Sequence, residues 1–280
     1  MGCEGREGGR TISRRDFLKI VGGATGVASV GLFASCGAGA TTAGTAGERS
    51  EGQQVIGSAA SQGRLLARPA PSDTAVPAGL RPLGLASGRD GLLYVPEGYG
   101  REGAAPLALM LHGASGNARG GISHFLDRAD EAGIILLAPE SRGRTWDVLV
   151  GGYGPDVEFI DRALEQTFDR LAVDAEHLAV VGFSDGASYA LSIGLTNGDL
   201  FTHLIAFSPG FASPAAYRGK PSVFISHGTH DKILPIRQTS RRIVPELERR
   251  GYEVSYHEFE GPHTVPKSVA REALEWFIEG

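Results

Sequence analysis

A strand that must turn back into a helix within two or three residues leaves a chain few ways to fold, and residues 178–191 encode such a reversal. They read Leu178-Ala-Val-Val-Gly182-Phe-Ser184-Asp-Gly186-Ala-Ser-Tyr-Ala-Leu191. The apolar run before Gly182 suits a short buried strand, and the small residues after Gly186 suit the first turns of a helix. Ser184 at the bend would stand above the sheet edge in a strained backbone conformation with its hydroxyl exposed. Gly182 and Gly186 fall where strand and helix nearly touch and a β-carbon would collide. In a chain with 41 glycines the bare Gly-x-Ser-x-Gly pattern carries little weight. The competing reading is a tight turn with an ordinary capping serine, and the remainder of the chain has to decide between them.

From about Val76 the chain alternates between strand-like and helix-like segments. Arg81–Ala86 and Gly91–Val95 read as an antiparallel hairpin, the second strand closed by Pro96. Pro106–His112 and Gly133–Pro139 are continuous apolar runs suited to strands buried on both faces. Ile122–Ala132 has Phe125, Leu126 and Ala129 at helical spacing, and Asp156 to about Leu171 has Phe159, Ile160, Ala163, Leu164 and Phe168. Beyond the Ser184 unit come strands at Leu204–Ser208, Ser222–Ser226 and Val254–Phe259, with helices at Arg237–Arg250 and Lys267–Ile278. This order predicts an α/β domain over 76–280, a mostly parallel sheet with helices on both faces. In such sheets ligands bind outside the carboxyl ends of the strands.

The candidate chemistry collects at those ends. A serine hydroxyl becomes a nucleophile only when a base takes its proton, and the base needs a third group to fix its tautomer. After Ser184, the stretch Ser226-His-Gly-Thr-His230-Asp231 places an aspartate just beyond a strand, and Glu260-Gly-Pro-His263 places a histidine between the last strand and the last helix. The order Ser184, Asp231, His263 is that of a catalytic triad on a wound sheet, with Glu260 the second choice for the acid. His257 falls inside a strand. His227 and His230 beside Asp231 lack a second ligand cluster, so a turn role is expected there and no metal site. Acyl transfer also needs donors for an oxyanion. The Asp185 N–H follows the nucleophile, and the Ala114 N–H in the loop His112-Gly113-Ala114-Ser115-Gly116 is the candidate partner. His112 is expected to be structural.

His-Gly at 112–113, Gly-Phe-Ser-Asp-Gly at 182–186, His-Gly-x-x-Asp at 227–231 and Gly-x-His at 261–263 occur in this order. Together they resemble the α/β-hydrolases of the phospholipase/carboxylesterase type. They are also similar to polyhydroxybutyrate-depolymerase-like and feruloyl-esterase-like exported esterases. The resemblance spans roughly residues 80–280 and implies a serine esterase that needs no cofactor. Small cytoplasmic members often have Gln after the nucleophile where this chain has Asp185, which leaves the subfamily open. Only 46 residues lie between Ser184 and Asp231, which leaves no room for a large cap domain. The expected cleft is therefore open, with Trp146 and Phe211 in neighbouring strand-end loops as candidate walls of an acyl or aryl subsite. Rival readings are a serine peptidase acting on short peptides and a cell-surface binding module that has kept the fold.

The first 40 residues read as an address. Ser13-Arg14-Arg15-Asp16-Phe17-Leu18-Lys19 followed by an apolar run over 20–35 resembles a twin-arginine export signal. That run is 16 residues with four glycines, short and mild for a membrane span. Leu32-Phe-Ala-Ser-Cys36-Gly37 resembles a lipobox that would leave Cys36 as an acylated first residue, the alternative being cleavage nearby, such as after Ala38 or Ala40. Residues 41–75 are poor in large apolar side chains and are expected to form a flexible tether. Both cysteines, Cys3 and Cys36, lie in the leader, so the body needs no disulfide in an oxidising compartment. The expected partners are the twin-arginine export machinery and a small-molecule or polymeric ester. The net charge of -5 becomes -7 once the leader's five basic and three acidic groups are set aside, which does not suggest nucleic acid. Membrane contact is expected only through a lipid at Cys36.

Overall fold

Strands covered on both faces have no polar side to spare, and the middle of this sheet is built from such strands. The structure, a computed structural model, describes residues 58–72, 74, 76–100 and 103–280. The leader, Cys36 and the first part of the expected tether lie outside the described residues. The strands are β1 (Gly79–Pro82), β2 (Gly91–Val95), β3 (Ala105–Leu111), β4 (Ile135–Pro139), β5 (Val173–Phe183), β6 (His203–Phe207), β7 (Ser222–Gly228) and β8 (Val254–Phe259). They form one 8-stranded sheet in the order β1-β2-β4-β3-β5-β6-β7-β8. β1 and β2 run antiparallel at one edge, and every pairing from β4 to β8 is parallel. Every residue of β4 and β6 is buried.

Alternation along the strands feeds two cores, one on each face. Leu107, Leu109 and Leu111 of β3 pack with α3 (Pro155–Phe168), α4 (Asp185–Thr196) and α5 (Ser240–Arg249). Ala108 and Met110 face the other way, toward α1 (Ala118–Ile122) and α6 (Lys267–Glu279). A short helix, α2 (Asp147–Val150), lies between β4 and α3. The chain is thus wound on both faces as its alternation predicts, and no inserted cap stands between β6 and β8 among the described residues.

Three expectations change. The first strand lies at 79–82 and not at Arg81–Ala86, because the Asp90 carboxylate accepts hydrogen bonds from the N–H groups of Gly84, Leu85 and Ala86 at 2.7, 2.9 and 3.1 Å. Those amides close a loop in place of a ladder. The helix expected over 122–132 begins earlier and breaks. Asn117 caps α1 by accepting from the Gly120 N–H at 3.0 Å, and after Ile122 only a single tight turn at Leu126–Arg128 follows. Phe125 and Ala129 are buried as their spacing implied.

The third change concerns the tether expected over 41–75, because residues 58–72 are part of the body. Leu65 is fully buried in the larger core. Asn197, at the carboxyl end of α4, accepts from the Leu65 N–H at 3.0 Å and donates to the Gly63 carbonyl at 2.7 Å. Asp199 makes a two-pronged contact with the Arg64 guanidinium at 2.7 and 2.8 Å, and Asp161 accepts from the Leu66 and Ala67 N–H groups. A polar composition conceals this packing because one leucine and a few well-placed partners are enough to hold the segment.

Leu65→Ala should lower the unfolding free energy by about 2–5 kcal/mol, measured by urea titration. The Arg64 hydrogen bond and charge hold the Asp199 carboxyl well below the usual carboxylate range, against the opposing effect of burial. A depressed carboxyl stabilises the fold fully above its unfolded value near pH ~4 and stops doing so as pH falls through its folded value. Asp199→Asn should therefore speed hydrogen exchange at the Leu65 amide at pH 7, whereas the native protein should show that loosening only in acid.

Candidate active site

The turn at Ser184 is forced by how closely three pieces of backbone meet. A β-carbon on Gly182 would stand 2.1 Å from the Gly186 carbonyl oxygen, and one on Gly186 would stand 2.3 Å from the Leu111 oxygen. Neither obstacle is a movable side chain. Ser184 takes φ +58°, its N–H bonded to the Phe207 carbonyl at 2.9 Å and its own carbonyl accepting from Ala187 and Ser188 at 3.0 Å. A left-handed serine between a strand and a helix is strained backbone held by its surroundings.

The two residues expected to join it do so. His263, in the loop between β8 and α6, has Nε2 2.8 Å from Ser184 Oγ and Nδ1 2.5 Å from Asp231 Oδ2. The carboxylate requires the proton on Nδ1, which leaves Nε2 as acceptor for the serine hydroxyl. The imidazole is steadied by the Phe183 ring, with centroids 4.8 Å apart. Glu260, the second choice for the acid, is exposed. His257 stacks on Phe224 at 4.6 Å and meets Glu272 at 3.1 Å.

Asp231 shows how a buried carboxylate is kept ionised. Its Oδ1 accepts from the N–H groups of Ile233 and Leu234 at 2.8 Å, and its Oδ2 lies 3.1 Å from His227 Nε2. Burial favours the neutral acid, but the hydrogen bonds from His227, His263 and Leu234 outweigh it and hold the group well below the usual carboxylate range. His227 corrects the turn role expected for it. It lies on β7, fully buried, with Nε2 also 2.8 Å from the Leu234 carbonyl and Nδ1 2.7 Å from Ser240 Oγ. Two acceptors at Nε2 place the proton there, so His227 donates to the Asp231 carboxylate. The signal was present in sequence, since a histidine closing a buried strand four residues before an aspartate is within reach of it. His230 is exposed.

The loop after β3 lies beside the serine. A β-carbon on Gly113 would stand 3.6 Å from Ser184 Cβ. The Ala114 N–H has no hydrogen-bond partner among the described residues. The Asp185 N–H opens α4, where a helix leaves its first amides without partners. The Asp185 side chain is buried and accepts from Thr145 Oγ1 at 2.6 Å. Burial pushes its carboxyl up, and the Thr145 hydrogen bond and the His263 charge oppose that only in part.

Trp146 and Phe211, expected as pocket walls, belong to the core. Trp146 is fully buried, stacks on Tyr189 with centroids 5.0 Å apart and donates its indole N–H to the His112 carbonyl at 2.8 Å. Phe211 is buried in the same cluster. Aromatic side chains in strand-end loops carry enough apolar surface to be drawn inward, and loop position alone does not reveal it.

Residues 157–278, which carry Ser184, Asp231 and His263, match the phospholipase/carboxylesterase family model. Over that stretch the chain is similar to the phospholipase/carboxylesterase family. It is 25% identical over 158 residues to the probable feruloyl esterase C of Aspergillus terreus, a match covering 54% of this chain and 57% of that protein. It is 28% identical over 141 residues to NocK of Nocardia uniformis subsp. tsuyamanensis, which carries the provisional name of an esterase, covering 46% of this chain and 41% of that one. These matches span about half the length of those curated relatives. The crystal structure of esterase PE8 shares the fold with a TM-score of 0.56 at 23% identity, covering 68% of this chain and 97% of that one.

Trp146→Phe should keep the fold and lower the unfolding free energy by about 1–3 kcal/mol, because the buried His112 carbonyl loses its donor. Gly186→Ala should give no soluble folded protein on expression, since its β-carbon would meet only backbone.

Proposed function

We propose that this chain is an exported serine hydrolase that cleaves carboxylic esters with short acyl or aryl groups, small or polymeric. Ser184 Oγ attacks the ester carbonyl as His263 Nε2 takes its proton, and Asp231 holds the imidazole in the tautomer that can accept it. The carbonyl oxygen gains negative charge and is met by the N–H groups of Asp185 and Ala114. Collapse of the tetrahedral species breaks the bond to the alcohol, which leaves with the proton from His263, and the acyl group stays on Ser184. A water then gives its proton to His263 and attacks the acyl carbonyl. Release of the acid restores the serine, and no cofactor enters.

The observation that carries this reading is the unbroken hydrogen-bond chain from Asp231 Oδ2 through His263 to Ser184 Oγ, with spans of 2.5 and 2.8 Å. Short acyl or aryl esters are favoured by the relative named as a feruloyl esterase and by the lack of an inserted cap over the strand ends among the described residues. The paired arginines at 14–15 and the apolar run after them support export through the twin-arginine route, and Leu32–Cys36 supports a lipid on Cys36 that keeps the enzyme at the cell surface.

A fluorophosphonate probe should label the native protein and leave Ser184→Ala unlabelled. On a panel of p-nitrophenyl and hydroxycinnamate esters, Ser184→Ala and His263→Ala should each lose about 10⁴-fold or more in kcat, and Asp231→Asn a comparable amount by imposing the wrong tautomer. Ester turnover in Ser184→Ala equal to the native protein would overturn the assignment, as would a folded native enzyme inert toward every ester.

A further inference from the structure

Nothing in the triad explains why Arg89, in the loop between β1 and β2, reaches across to two other segments. Its Nη2 lies 3.0 Å from the Gly116 carbonyl, 3.3 Å from Ser141 Oγ and 3.2 Å from His112 Nε2, and its Nε donates to the Ser141 carbonyl. Glu140 Oε2 is 3.8 Å from Nε. The Ser141 N–H also points at His112 Nε2, at 3.0 Å. Two N–H donors therefore converge on one ring nitrogen, which must be the unprotonated one. Protonation of His112 would set N–H against N–H, and burial with the facing Arg89 charge also disfavours it.

That tautomer has a consequence one residue away. With its proton on Nδ1, His112 donates to the Gly113 carbonyl at 2.7 Å, an oxygen that also accepts from the Gly116 N–H at 3.0 Å. The Gly113 carbonyl belongs to the same peptide unit as the Ala114 N–H. No cis peptide bond is present among the described residues, so that unit is trans and its C=O and N–H point in opposite directions. Tying the oxygen back to His112 and Gly116 turns the Ala114 N–H the other way, with Gly113 itself packed against Ser184. Gly116 has no room for a side chain here, because a β-carbon would stand 2.9 Å from the Gly113 oxygen.

We infer that Arg89 is a positioning residue for the oxyanion site: it locks His112 in one tautomer and so fixes the peptide that presents the Ala114 N–H. The inference rests on the esterase reading above. Arginine suits the task because its planar fork reaches the Ser141 and Gly116 carbonyls and the imidazole at once, which a lysine ammonium on a flexible stem cannot. Removing an oxyanion donor outright costs about 10²–10³ in kcat, so loosening one should cost about 10- to 100-fold.

The test is steady-state kinetics of p-nitrophenyl acetate hydrolysis, with melting temperature and the downfield proton resonance of the His263–Asp231 hydrogen bond recorded on each variant. Arg89→Ala should lose about 10- to 100-fold in kcat with KM within about 2-fold, because the interaction is made only in the transition state. Arg89→Lys should recover part of the loss. His112→Asn, whose amide nitrogen can stand where Nδ1 stands and donate to Gly113, should retain more activity than His112→Ala. Arg89→Ala should add little to His112→Ala, since both act through one peptide. The downfield resonance should persist throughout. The inference is overturned if Arg89→Ala keeps kcat within about 3-fold of native, if the two losses multiply, or if the resonance disappears with the activity. A native protein that hydrolyses no ester and takes no fluorophosphonate would sink the esterase reading instead, so the two failures are distinct.

Discussion

Three backbone segments pass within contact distance of one another beneath Ser184, and the rest of the site follows from that crossing. The end of β5 touches the first turn of α4, and α4 in turn touches the end of β3, with no side chain at either meeting point. Because Gly182 and Gly186 let these backbones close up, the serine has to adopt a positive φ, and its hydroxyl is raised clear of the sheet. The same contact sets the height of the 113–116 loop relative to the Ser184 hydroxyl. Strain at Ser184 is tolerated because a β6 carbonyl, the α4 amides and the two cores all hold it in place.

The second constraint is electrostatic. A charge as buried as the Asp231 carboxylate survives only with several donors, and it has four, two of them imidazoles on opposite sides. His227 donates from within β7 and His263 from the loop after β8, so the Asp231 carboxylate ties the last two strands of the sheet together as well as orienting the His263 ring. Histidines recur as fixed donors here. His112 does for the loop after β3 what His227 does for Asp231, and in each case the neighbours decide which nitrogen carries the proton. Of the three, only His263 is placed to accept a proton from Ser184.

What could be read in the sequence was whatever leaves a local mark. Buried parallel strands appear as unbroken apolar runs, and Ser184, Asp231 and His263 sit at strand ends in a fixed order. What could not be read depends on partners far along the chain. Leu65 looks like an isolated apolar residue until Asn197, 132 positions later, is seen to hold its backbone. Arg89 looks like an ordinary loop cation until β1 and β2 bring it over the loops that follow β3 and β4. The break after Ile122 follows from the Asn117 cap, which starts the helix several residues before its apolar stripe suggests. Trp146 and Phe211 failed as pocket walls because position at a sheet rim does not say whether an aromatic ring turns outward or in.

The most direct measurement is a crystal structure of the protein inactivated by a fluorophosphonate, whose phosphonyl oxygen stands where the oxyanion would be. The phosphorus should be bonded to Ser184 Oγ, with that oxygen about 3 Å from both the Ala114 and Asp185 nitrogens and His263 still bonded to Asp231. An adduct on another side chain, or a phosphonyl oxygen turned to solvent with neither amide in reach, would contradict the assignment of this rim as a catalytic site.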